Sequence, residues 1–331
     1  MLSIGPYSLP SRVLLAPMAG VSDLPMRKLC LAAGAGLAFG EMLISDTRHW
    51  NSRKSCARLT VESGSTPIAL QIAGSDPGLM AQAAKACVDA GAQIIDINMG
   101  CPAKKVCNRA AGSALLRDEH LVGQILDAVV GAVRVPVTLK IRTGWCLHSR
   151  NAVAVARLAE QAGIAALTVH GRSRACRFAG PVEYTTIAEV VAAVSIPVIA
   201  NGDITCAAQA KAVLEQTCAA GIMIGRAAQG NPWVFRAINS FLNYAQAPAA
   251  VTPAEALSTV LHHLEGIYAL YGQEAGVRIA RKHFAWYLHT LSPEGAARQR
   301  TQFNQAESPQ EQQQIAQATF GRYKPLEDQA A

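Results

Sequence analysis

Cys101 lies in the run Asn98-Met99-Gly100-Cys101-Pro102, with Lys104, Lys105 and Arg109 close behind it. A thiol in such a loop can serve as a proton donor or a nucleophile, and the cations suit it to an anionic substrate. Without that context a lone cysteine is inert packing. Lys140 interrupts the apolar run Val137–Ile141. An unpaired buried ammonium is costly, so Lys140 must face an anionic or electron-rich ligand, or pair inside the core with Asp96. Other hydrogen-bonding residues close other apolar runs: Pro17-Met18-Ala19-Gly20, Glu41, Gln71, Asn98, Arg142, His170-Gly171-Arg172, Asn201-Gly202-Asp203 and Gly225-Arg226. Glycine lets backbone amides approach an anion and arginine can neutralise it. The pairs at 202–203 and 225–226 therefore suggest a phosphate site.

These residues need elements to hold them. Short β-rich runs recur at Val13–Pro17, Leu37–Glu41, Ile68–Gln71, Ile94–Asn98, Val137–Ile141, Ala166–His170, Val198–Asn201 and Gly221–Ile224. They read as almost uniformly apolar, the pattern of strands buried on both faces. The intervening stretches, such as Leu79–Ala90 and Ala152–Ala162, have helical composition. Eight such units predict an α/β fold, a (β/α)8 TIM barrel, over a doubly wound open sheet. In a barrel the polar residues at the strand ends share one mouth, and the loops after strands seven and eight are the usual phosphate site. Asn231-Pro232-Trp233 suggests an N-cap with proline at the first helical position, and that helix fades near Tyr244. Thr252-Pro253-Ala254-Glu255 is a capping box; Ser292-Pro293 and Ser308-Pro309 open two further helices. A catalytic barrel over residues 1–244 and an all-helical bundle over residues 245–331 are expected.

Half the residues are hydrophobic and 16% charged, which excludes a disordered chain. No apolar run of membrane-spanning length and no leader-like start is found, so the expectation is a cytoplasmic protein. The nine cysteines show no CxxC pair, which argues against a disulfide framework or a metal site. The net charge is +7, and the excess falls in residues 1–240, with 23 Lys/Arg against 15 Asp/Glu. A polyanionic partner or a phosphate-bearing cofactor would suit that balance.

Longer motifs extend this reading: APMAG (16–20), LQIAG (70–74), IDINMGCPAKKV (95–106), LKIRTGW (139–145), TVHGR (168–172), IANGDI (199–204) and MIGRAAQG (223–230). Through them the chain resembles the tRNA-dihydrouridine synthases from Ile4 to about Tyr287. The resemblance implies reduction of specific uridines in tRNA to 5,6-dihydrouridine, with FMN in the barrel, NADPH as reductant and a helical domain that helps hold tRNA. It implies that hydride passes from FMN to uracil C6 and that Cys101, as general acid, protonates C5. Pro17, Met18 and Ala19 match the segment under the flavin. Gln71 and Lys140 match residues that bind its ring system. His170, Asn201, Gly202, Asp203, Gly225 and Arg226 match positions around the ring, ribityl chain and phosphate. Asn98 and Arg172 match positions near the substrate, and Lys104 and Lys105 are candidate contacts to it. Further candidate tRNA contacts are Arg48, Arg53, Lys54, Arg58, Arg109, Arg174, Arg177, Arg278, Arg281 and Lys282. The expected assembly is a monomer without metal. The sequence departs from the family pattern at Cys107, an extra cysteine, and over its last thirty residues. A flavin barrel acting on a free pyrimidine is the alternative; the helical tail and basic loops count against it.

Overall fold

The computed structural model describes residues 1–61, 67–108, 110–246, 249–291 and 295–321. A two-stranded hairpin, β1 (Ser3–Ile4) and β2 (Tyr7–Ser8), precedes eight parallel strands: β3 (Val13–Leu15), β4 (Leu43–Ile44), β5 (Ala69–Ala73), β6 (Ile94–Met99), β7 (Val137–Arg142), β8 (Ala166–His170), β9 (Val198–Asn201) and β10 (Gly221–Ile224). The strands pair in the order β3-β10-β9-β8-β7-β6-β5-β4. Parallel bridges Leu15–Ala38 and Phe39–Ala69 close the ring between β3 and β5. The architecture is a TIM barrel.

The helices outside the barrel are α1 (Leu24–Ala32), α2 (Arg53–Leu59), α3 (Pro77–Asp89), α4 (Lys104–Cys107), α5 (Glu119–Ala132), α6 (Ala152–Gln161), α7 (Thr185–Ala193), α8 (Ala207–Thr217) and α9 (Val234–Tyr244). Their starts follow local chemistry. Asp23, Asp76 and Asp118 each accept a backbone N–H in the first turn of α1, α3 and α5, satisfying donors that a helix leaves orphaned. The C-terminal unit comprises α10 (Pro253–Tyr271), α11 (Gln273–Leu291), α12 (Ala296–Gln305) and α13 (Pro309–Phe320). Half of the capping box at Thr252 forms, with Glu255 N–H donating to the threonine hydroxyl at 3.2 Å, while the Glu255 carboxylate is taken by Arg236. This unit has its own core, in which Phe284 and Phe303 stack at 3.8 Å and Phe320 meets Phe284 edge-on.

Four expectations need correction. The run Leu37–Glu41 is not a regular strand: only Ala38 and Phe39 make bridges, and regular pairing resumes at Leu43–Ile44. Gly40 still donates its N–H to Ala69 O at 3.0 Å, and beyond it the Glu41 carboxylate accepts from Gly20 N–H rather than continuing a ladder. Second, the strands are buried on both faces but do alternate. Ile95, Ile97, Leu139, Ile141, Leu167 and Val169 join the outer core, whereas the lumen takes Asp96, Asn98, Thr138, Lys140, Thr168 and His170. Third, Asn231 does not cap a helix; α9 begins at Val234. Gly230, at φ +67°, packs closely on the Trp286 backbone, and a turn runs through Pro232 and Trp233 before the helix. Fourth, the hairpin was unanticipated; with Leu2, Ile4 and Leu9 it packs beneath the lumen residues Leu14, Phe39, Ile94 and Ile199. The Ser292-Pro293 helix start lies outside the described residues, as do Arg109 and the last ten residues.

Candidate active site

The wide mouth of the barrel is organised by a chain of side-chain hydrogen bonds. The buried Asp96 carboxylate accepts from Thr138 Oγ1 and Gln71 Nε2, both at 2.6 Å. A carboxylate only accepts, so it fixes the orientation of the Gln71 amide. Gln71 Oε1 then accepts from Asn98 Nδ2 at 2.9 Å. Asn98 Oδ1 is left to accept from the backbone N–H of Cys101 at 3.0 Å and of Gly100 at 3.2 Å. The loop bearing the thiol is thus oriented from the barrel floor upwards. Arg142, almost wholly buried, ties the same loop from the other side: its Nε donates to Gly100 O at 2.8 Å, and Nη1 to the carbonyls of Ser173 and Arg177. Ser113 Oγ donates to Cys101 O at 2.8 Å.

Burial is the largest influence on the Cys101 thiol and pushes its pKa up, while Arg142 and Lys140 oppose that. Desolvation outweighs the neighbouring cations. The group is held as a neutral S–H, the form that donates a proton. Cys107 Sγ lies 3.6 Å from the Cys101 carbonyl.

Lys140 does not pair with Asp96. Its Nζ donates to Asn201 Oδ1 at 2.9 Å, and Asn201 Nδ2 donates to Met223 O. Burial, then Arg142, lowers the Lys140 pKa to about 8, with Asp96 acting against them. The ammonium therefore persists at neutral pH. Burial raises Asp96 to about 6, with the two hydrogen bonds and Lys140 opposing. His170 is driven well below its ordinary value by burial and the surrounding cations, and its Nε2 is buried without a hydrogen-bond partner in the protein.

On the other side of the mouth, Asp203 bridges two guanidiniums. Arg172, 3% exposed, grips it through Nη1 at 3.0 Å and Nη2 at 2.5 Å, and also donates to Gly180 O. Arg226, 57% exposed, reaches Asp203 Oδ1 at 2.6 Å. The Arg172 hydrogen bond, then burial acting against it, leaves the Asp203 carboxyl below its usual range. Tyr184 OH donates to Gly202 O at 2.6 Å. Phe178 is exposed, and the guanidiniums of Arg142 and Arg226 lie 5.3 and 5.6 Å from its ring centre.

Pro17 and Met18 are half-buried and Ala19 exposed, in the loop after β3. Lys104 and Lys105 stand exposed on α4 at the rim. Arg53, Lys54, Arg177 and Arg278 are also exposed, whereas Arg58 pairs with buried Glu41 and Arg48 with Asp46. The mouth therefore gathers Cys101, Asn98, Gln71, Lys140, His170, Asn201, Gly202, Asp203, Gly225 and Arg226, with Arg172 beneath the surface. Thr138 belongs to the same constellation with no expected role, while Asp96, expected only as a partner for Lys140, and Arg142, expected only as a strand-end polar residue, instead orient the Cys101 loop. Their two-residue spacing from Asn98 and Lys140 was the available signal.

The residues fit a flavin on two observations. A Cβ on Gly225 would meet nothing nearer than Met18 Sδ at 3.9 Å, so the space over its backbone is open to a bound group. The unpartnered His170 Nε2 offers a polar atom to a bound group. A family model described as dihydrouridine synthase matches residues 14–324.

The chain belongs to the dihydrouridine synthase family.

Among curated members, it is 59% identical over 305 residues to tRNA-dihydrouridine synthase B of Pseudomonas aeruginosa, spanning 92% of this chain and 91% of that one. It is 54% identical over 311 residues to the protein of the same name from Xanthomonas axonopodis pv. citri, spanning 94% and 93%. Among solved structures, histamine dehydrogenase from Rhizobium sp. 4-9 aligns with a TM-score of 0.53 at 11% identity, over 80% of this chain and 50% of that one; the likeness is one of fold. Among the described residues of this dihydrouridine synthase, no cluster of three metal-ligating side chains occurs and no helix is long and apolar enough to cross a membrane.

Proposed function

We propose that this protein reduces specific uridines in tRNA to 5,6-dihydrouridine, with FMN as cofactor and NADPH as reductant. The observation that carries the reading is the Asp96–Gln71–Asn98–Cys101 hydrogen-bond chain, which fixes a neutral thiol at the barrel mouth beside the Lys140 ammonium. When bound, FMN supplies the hydride that reaches uracil C6. The chain's residues supply the remainder.

Cys101 gives its proton to C5, and its raised pKa keeps that proton in place until it is needed. Lys140, held by Asn201, stabilises negative charge on the cofactor ring. Gln71, whose amide orientation Asp96 dictates, and neutral His170, through its unpartnered Nε2, would bind the same ring. Pro17, Met18 and Ala19 would line it, and Asn201, Gly202, Asp203, Gly225 and Arg226 would hold its ribityl and phosphate end. Asn98 orients the Cys101 backbone and lies beside the substrate base. Arg172 is buried against Asp203, so it acts by holding the Asp203 loop rather than by touching RNA.

A uridine in folded RNA must leave its stack to reach this mouth, at a cost of about a few kcal/mol. Exposed cations at the rim, Lys104 and Lys105 first among them, offset that cost through phosphate contacts. The helical unit after Tyr244 supplies a second tRNA surface. The reading takes the enzyme as a cytoplasmic monomer.

The test is direct. Purified protein supplied with FMN, NADPH and unmodified tRNA should form dihydrouridine, measured by mass spectrometry of the digested RNA. Free uridine should not react. Reduction of free uridine without conversion of tRNA would overturn the assignment in favour of a free-pyrimidine enzyme.

A further inference from the structure

Lys282 on α11 does not point into solvent. It is half-buried, and its Nζ donates to the carbonyl of Gly20 in the loop after β3. The same glycine, at φ +75°, donates its N–H to Glu41 Oε2 at 2.5 Å. Glu41 is 4% exposed and is held by Arg58 through Nη2 at 3.1 Å and Nε at 3.2 Å. Three residues on, buried Asp23 caps α1 and accepts the Tyr271 hydroxyl of α10 at 3.1 Å. Both peptide groups flanking the Gly20 Cα are therefore gripped, one from the barrel and one from the helical unit. Pro25 of α1 also packs on α10, where a Cβ on Gly266 would fall 3.0 Å from it.

The charges make this a mutual arrangement. Burial lowers the Lys282 pKa, while Asp23 and Glu41 oppose it. A lysine spent on a half-buried carbonyl beside two carboxylates is poorly placed to meet an RNA phosphate. Gly20 ends the Pro17-Met18-Ala19 segment, so what fixes Gly20 fixes that segment.

We propose that Lys282 and Tyr271 are positioning residues through which the helical unit completes the cofactor pocket, by clamping Gly20 and Asp23. The inference rests on the reading that Pro17–Ala19 lie against the flavin. The helical unit is then more than a platform for tRNA: its docking sets the shape of the loop on which reduction depends.

The experiment compares the wild-type holoenzyme with Lys282→Met and Lys282→Arg. FMN release on dilution is followed by flavin fluorescence, amide exchange over residues 18–23 by mass spectrometry, and tRNA affinity at several salt concentrations. Lys282→Met should release FMN roughly ten-fold faster, the scale of one charge-assisted hydrogen bond. It should also speed exchange in that segment and leave the salt dependence of tRNA binding unaltered; Lys282→Arg should restore slow release. Unchanged FMN release together with a salt slope shallower by about one would make Lys282 a phosphate contact and overturn the proposal. Should Lys282→Met fail to fold, Tyr271→Phe, which removes only the hydroxyl on Asp23, must accelerate exchange over residues 18–23, and no acceleration defeats the clamp. A wild-type protein that binds no flavin would defeat the underlying reading as well, so the two failures are distinct.

Discussion

Asp96 is a buried carboxylate whose removal should change stability and catalysis in opposite directions. Its pKa rises from 3.8 to about 6 in the folded protein, chiefly through burial. A folded-state pKa above the unfolded value means that ionisation favours unfolding. Its contribution is fully present below the unfolded pKa and is lost as pH rises through about 6. A shift of about two units corresponds to ~3 kcal/mol in all, of which about 2 kcal/mol falls between pH 4 and pH 7. Asp96→Asn keeps the shape: its Oδ1 can accept from Gln71, and its amide can donate to Thr138 once that hydroxyl rotates. The assay is urea unfolding of both proteins at several pH values, because groups common to the two cancel in the difference. The gap should shift by about 2 kcal/mol in favour of Asp96→Asn from pH 4 to pH 7. Turnover should meanwhile fall, since an amide no longer dictates which way Gln71, Asn98 and the Cys101 loop are turned. Parallel stability–pH curves would mean that Asp96 carries no burial-raised pKa in the folded protein.

Other consequences are equally open to measurement. Lys140→Met should retain the fold and slow dihydrouridine formation by roughly 100-fold, the scale of a lost electrostatic stabiliser. In the wild type the same role predicts a rate that declines above about pH 8, where the ammonium deprotonates; a rate flat to pH 9.5 would exclude it. Asp203→Ala strands the buried Arg172 guanidinium, at a cost of about 2 kcal/mol after allowance for the carboxylate's exposure, readable as a lowered melting temperature. Lys104→Ala with Lys105→Ala should weaken tRNA binding and reduce its salt slope by up to about two, with NADPH oxidation in the absence of tRNA unaltered.

The barrel was legible because seven of its eight strands announce themselves as compact apolar runs at regular spacing. Leu37–Glu41 misled because its composition is strand-like, while the Glu41 carboxylate accepts from Gly20 N–H, a contact that only the folded chain makes. The strand-end polar residues picked out most of the mouth. Reading the strands as almost uniformly apolar hid the lumen parity that brings in Thr138 and that aims Asp96 at Gln71 and Arg142 at the Gly100 carbonyl. For a related reason the direction of the Cys101 shift was not legible: sequence shows neighbouring charges but not the desolvation that exceeds them. Charge alone also made Arg58, Arg172 and Lys282 look alike as surface cations. The structure turns each inward, onto Glu41, Asp203 and Gly20 respectively, which depends on residues distant in sequence.

The account stands or falls on Cys101 as the acid. The deciding measurement is dihydrouridine formed by Cys101→Ala, with flavin content and NADPH oxidation followed in the same preparation. Retained flavin, retained NADPH oxidation and product formation reduced by at least about 100-fold are expected. Dihydrouridine formed at the wild-type rate would contradict the assignment.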